Sequence, residues 1–147
     1  MRLVAYAASL ASVVALAGCS GDTEHTWAGP PDPGPDGVVA VDDFAEHQRS
    51  VEEPWEGSAA MAAAEFMRLD ERTAVRTSIE GLASAEGTGP ETVVITLDGL
   101  LDDSVRAERW TFDFAPDGDG YTLTAAQWAQ RCHADRGHQD YTPEACI

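Results

Sequence analysis

Between Cys132 and Cys146 the chain carries His133, Asp135, Arg136, His138 and Asp140. Two imidazoles and two carboxylates held this close have the donor set of a zinc or copper site. A five-residue spacing between histidines in a loop is diagnostic of neither metal, so no metal and no cofactor is expected. His133, Arg136, His138 and Asp140 are read instead as a binding surface or as hydrogen-bonding struts of the loop. Asp102-Asp103 with Glu108 has the make-up of an acid/base pair, because neighbouring carboxylates split their pKa values. Adjacent aspartates between strands are more simply a solvated turn, offset by Arg106 and Arg109. Asp117-Gly118-Asp119-Gly120 hints at calcium, but it lacks the terminal bidentate Glu of a calcium loop and reads as a hairpin turn. There is no Ser-His-Asp order, nucleophile elbow or phosphate loop. No catalytic residue is assigned.

A second kind of chemistry lies near the amino terminus. Leu16-Ala17-Gly18-Cys19 follows an apolar run from Leu3 and one basic residue, Arg2, which is the layout of a secretory signal. The order Leu-Ala-Gly-Cys reads as a lipobox, with cleavage before Cys19 and acylation of its thiol. The run is too short for a membrane span, which needs about 20 apolar residues. A diacylglyceryl cysteine carries the two chains that stable anchoring requires. The expected location is therefore the extracytoplasmic face of a cell membrane. Once Cys19 is acylated, Cys132 and Cys146 remain in an oxidising compartment, where a disulfide is the default.

Composition narrows the partners. The formal charge is −17, and all nine basic residues are arginine. Such a surface repels nucleic acid, and no run of arginines offers a phosphate track.

These groups need elements to hold them. Residues 1–18 are the signal peptide, and 19–37 are the lipidated cysteine and a tether rich in Pro, Gly and Asp. Residues 38–147 form one α+β domain ending in the disulfide loop. Trp27, within the tether, is expected to pack on the domain or to dangle. Asp43 with Glu46 has the spacing of a capping box for a helix running to about Val51. Ser58 caps a second helix to about Leu69, with Ala59, Ala62, Phe66 and Leu69 on one stripe. After Thr73 the period becomes two, with Val75, Thr77 and Ile79, then Val93, Ile95 and Leu97, on one face. Trp110, Phe112 and Phe114 follow, and then Leu123 and Ala125. Short turn-rich connections make these strands a four-stranded antiparallel meander covered by the helices, a cystatin-like or NTF2-like roll. Trp55, Trp110, Phe112, Phe114, Tyr121 and Trp128 are its expected aromatic core, some of them lining a pocket between helices and sheet.

The tail Arg131–Cys146, and the central segment Asp98–Arg109, resemble those of a group of uncharacterised actinobacterial lipoproteins. That resemblance implies the lipid anchor and adds no activity. The expected function is a lipid-anchored envelope protein, a non-enzymatic binding or accessory domain for a small ligand or another envelope protein. The alternative is a small envelope enzyme with an acid/base site in the roll.

Overall fold

A computed structural model describes residues 27–51, 53–82 and 89–147. The signal segment 1–18 and Cys19 lie outside the described residues. The elements are β1 (Val38–Val39), α1 (Asp42–Ser50), a 3-10 turn (Pro54–Gly57), α2 (Ala59–Phe66) and a second 3-10 turn (Leu69–Glu71). Four strands follow: β2 (Arg76–Leu82), β3 (Glu91–Asp98), β4 (Val105–Asp117) and β5 (Gly120–Cys132).

The protein is α+β, with two helices packed on a five-stranded antiparallel sheet of order β1-β5-β4-β3-β2. The expected four-strand meander is there, and β1 adds a fifth strand beside β5 through the pairs Val38–Gln127 and Val39–Ala126. Two valines just after a proline-rich stretch are too short to give a period-two signal. Val93, Ile95, Leu97, Trp110, Phe112, Phe114 and Leu123 are buried on the face the helices cover. Phe44 of α1 and Phe66 of α2 meet them, Phe66 packing edge-on to Phe112 at 5.6 Å. Alternation places every second strand residue there; on the other face Thr96, Arg109, Thr111 and Asp113 are partly or fully exposed, while Ala107 is buried.

Several local readings shift. Helix α1 starts at Asp42 behind Val41, with no side-chain cap, so the Asp43–Glu46 capping box does not form. The reciprocal box closes instead around the 3-10 turn, between Glu53 and Glu56. Ser58 does cap α2, accepting from the Met61 N–H, but the helix ends at Phe66 rather than near Leu69. Ala125 is exposed and Ala126 buried. The pairs Asp113–Ala125 and Phe114–Leu123 leave Thr124 as an extra residue, a bulge that reverses the strand's phase. Val75 and Ile79 are 85% and 44% exposed, because β2 lies at the sheet edge beyond most of the helical cover.

Residues 27–37 are not a free tether. Trp27 is buried among Phe44, His47 and Phe66, with ring centroids 4.9, 6.2 and 5.6 Å away. Its Nε1–H donates to the Phe66 carbonyl at 2.7 Å, satisfying one of the orphan acceptors at the end of α2. Arg68 holds the Trp27 carbonyl from the other side at 2.8 Å. The folded domain therefore includes Trp27.

The outer edge of β5 is covered along its length. The buried Gln48 side chain behaves as a surrogate peptide, accepting from Leu123 N–H and donating to Tyr121 carbonyl. The Trp128 N–H donates to Gly37 carbonyl, while Gln130 exchanges both backbone bonds with Thr142. Gly37 has φ +80°, and a Cβ there would sit 2.4 Å from the Trp128 carbonyl oxygen, so the contact requires glycine.

Candidate functional site

The carboxy-terminal loop leaves β5 and returns to it. Cys132 and Cys146 are bridged, with Cα atoms 5.5 Å apart, as the geometry of the bond requires. Gly137 lies against the bridge; a Cβ on it would come within 2.9 Å of the Cys132 sulfur. His138 faces two carbonyl oxygens, Asp140 through Nδ1 and Glu144 through Nε2, each at 2.8 Å. Only the imidazolium can donate from both nitrogens at once. The Glu144 and Asp140 carbonyls accordingly raise the His138 pKa above its ordinary value. Cys132, His138 and Cys146 bring their sulfur and nitrogen atoms within 4.8 Å of one another. With the sulfurs bonded to each other and each imidazole nitrogen facing a carbonyl oxygen, the three side chains brace the loop.

The remaining sequence candidates are also accounted for. His133 Nε2 lies 3.3 Å from the Asp102 carbonyl oxygen, and the His133 backbone N–H donates to the Ser104 carbonyl. Asp102 accepts from the N–H groups of Val105 and Ser104, both at 2.7 Å, and these bonds lower its pKa. It is a turn residue. Glu108 faces the helices, where Trp110 Nε1 donates to it at 3.2 Å and Arg72 approaches at 3.6 Å. Asp102 and Glu108 thus do not form an acid/base pair. Asp117–Gly120 closes β4 onto β5 as a two-residue hairpin turn. Arg136 and Asp140 are exposed on the loop and engage it through their backbones.

The open sheet face gathers what the sequence reading did not single out. Asp98, on β3, is shared by three guanidiniums: Arg76 at 3.4 Å, Arg106 at 3.4 Å and Arg131 at 3.5 Å. Arg109, next in the row, lies under the Tyr141 ring at 3.9 Å from its centroid, and Arg131 approaches the same ring at 5.3 Å. Four cations and one carboxylate therefore share one end of a face, on a chain whose net charge is −17. Among the described residues, the buried Arg131 Nε has no hydrogen-bond partner, a state that costs free energy until an acceptor reaches it. Arg76 and Asp98 stand directly opposite in the register, as do Arg131 and Ala107 one strand pair further on. The sequence signal was charge alternating with apolar residues in each strand. Their convergence needs the register, which no single strand encodes.

Between helices and sheet, the space expected to hold a pocket is filled by Trp27, Phe44, Phe66 and Phe112. An open depression of about 390 Å³ lies beside the β4–β5 hairpin and includes Gln48, Glu56 and Tyr121 in its lining. Gln48 is already committed there to β5. Compared with known proteins, the chain matches no protein family, no curated protein and no solved structure.

Proposed function

We propose that this protein is a lipid-anchored, non-catalytic binding domain on the extracytoplasmic face of a cell membrane, and that its open sheet face takes a carboxylate-bearing ligand. The observation that carries the binding reading is Arg131, whose buried Nε lacks an acceptor among the described residues while its terminal nitrogen shares Asp98 with Arg76 and Arg106. A carboxylate fits because guanidinium forks bind it with two parallel, charge-assisted bonds. Tyr141 pins Arg109 and Arg131 in place, so less side-chain freedom is lost when a ligand arrives. The filled interior favours binding over an acid/base enzyme, whose site would need room in the roll. The Leu16–Cys19 tetrad supports the anchor. The order of helices followed by a meander supports the cystatin-like or NTF2-like description of the architecture.

The test is a titration with glutarate, a small dicarboxylate, followed through the NMR signals of the arginine Nε–H groups. The Arg131 and Arg109 signals should move saturably. Arg131→Gln should abolish the response, and Arg109→Gln should weaken it while the amide spectrum stays dispersed. No saturable movement, or an equal response in both variants, refutes the carboxylate site.

A further inference from the structure

The two edges of the sheet are treated differently. The β5 side is met by the two-residue β1 and, beyond it, by Gln48, Gly37, Thr142 and, at the Cys132 N–H, the His138 carbonyl. Among the described residues, nothing covers the β2 edge in this way. Which residues face outward there follows from the register. Trp128 N–H points away from β4, so Gln127, Ala129 and Arg131 point toward it; strict alternation through the pairs Thr111–Gln127, Trp110–Ile95 and Ile79–Ile95 then applies. The Gly99 N–H bond to Arg106 carbonyl keeps the same phase. The outward backbone groups of β2 are therefore those of Thr77, Ile79 and Gly81.

We infer that this edge pairs with the β2 edge of a second copy, antiparallel, about a two-fold axis through Ser78. In that register Thr77 and Ile79 of one copy exchange backbone hydrogen bonds with Ile79 and Thr77 of the other. Arg76 then stands opposite Glu80, and Glu80 opposite Arg76, both in non-hydrogen-bonded positions, where side chains are closest. The seven-residue strand is its own charge complement. Shifting the axis to Ile79 sets Arg76 against Leu82, and shifting it to Glu80 sets Glu80 against itself. Both alternatives lose the pairing of opposite charges. Arg76 and Glu80 are exposed, as are Val75, Ile79 and Leu82, at 85%, 44% and 65%. Long, partly apolar edges without proline or an inward charge are the ones that accept another strand. Because the axis is perpendicular to the sheet, both open faces point the same way.

Cross-linking of the whole protein in detergent tests this. Ser78 would face its own copy at a Cα separation of about 4.5 Å, within the range a disulfide spans. Glu80 would lie about 14 Å from its own copy along the strands. Ser78→Cys should give a reducible dimer under mild oxidation, and Glu80→Cys should not. The uncross-linked protein should approach twice the monomer mass in light scattering as concentration rises to roughly 1 mM, where even weak interfaces fill. Glu80→Arg, which leaves the Asp98 cluster intact, should shift it back toward monomer. Adding Arg76→Glu should restore the dimer, a rescue that a folding defect would not give. A monomer throughout would overturn the inference and leave the edge to a strand from another protein. Equal cross-linking at residues 78 and 80, or no rescue in the double variant, would overturn the register.

Discussion

Replacing Trp27 asks whether a residue from a Pro- and Gly-rich stretch carries the fold. Trp27 is 7% exposed and touches Phe44, His47 and Phe66. A tryptophan that removes about 200 Å² from water gains up to about 5 kcal/mol at ~25 cal/mol/Å². Tryptophan-to-alanine truncations in cores cost about 3–5 kcal/mol. Alanine also leaves the Phe66 carbonyl without the Nε1–H that caps α2, a loss of about 1–3 kcal/mol if no water replaces it. Trp27→Ala should therefore destabilise the domain by about 4 kcal/mol or more, a large share of the 5–15 kcal/mol that holds a typical domain together. Trp27→Phe keeps most of the ring contact and drops the hydrogen bond, so it should cost about 1–2 kcal/mol. Urea unfolding followed by far-UV circular dichroism reads both, with the midpoint falling and the slope unchanged. A Trp27→Ala protein within about 0.5 kcal/mol of wild type, the range of an ordinary surface change, would return residues 27–37 to a tether and refute the packing argument.

Three further outcomes are expected. Cys146→Ser should lower stability by about 3 kcal/mol and the melting temperature by roughly 10 °C, measured calorimetrically; an unchanged melting curve would show that the tail holds without the bridge. The folded-state pKa of His138 is raised, so the stability it lends is complete below the ordinary histidine value and is lost as pH rises through the raised one. NMR should show the His138 ring titrating above the ordinary histidine value and the 138–144 amides exchanging faster above that point; an ordinary His138 titration would remove the imidazolium strut. Cys19→Ser should release the protein from membranes and abolish the lipid mass shift; unchanged partitioning would rule out acylation at this cysteine.

The covered face was legible wherever strand periodicity was unbroken. Val93, Ile95 and Leu97, and Trp110, Phe112 and Phe114, lie inward as their alternation requires. The reading failed where one residue broke the count, since an inserted Thr124 exchanges the roles of Ala125 and Ala126 without any local signal. Trp27 was left between packing on the domain and dangling, because proline and glycine mark irregular backbone; irregular backbone here delivers a core side chain. In the tail, the Cys132–Cys146 pair was legible once the lipobox reading had set Cys19 aside. The use of both His138 nitrogens was not, because it depends on where two carbonyls point. The Asp98 cluster was least visible, as its arginines come from three separate strands.

Gln48 and the returning tail have a consequence for assembly. Sheet polymers grow because each added chain brings a bare edge at both sides, one to attach and one to offer. Here one edge is already spoken for by the chain's own groups, at Leu123, Trp128, Gln130 and Cys132. A copy that docks through β2 presents only its closed side to the next. Association of this kind is isologous and stops at two, with no route to a filament. In the proposed dimer, the burial of one glutamine amide beside β5 limits stoichiometry as much as it stabilises the fold.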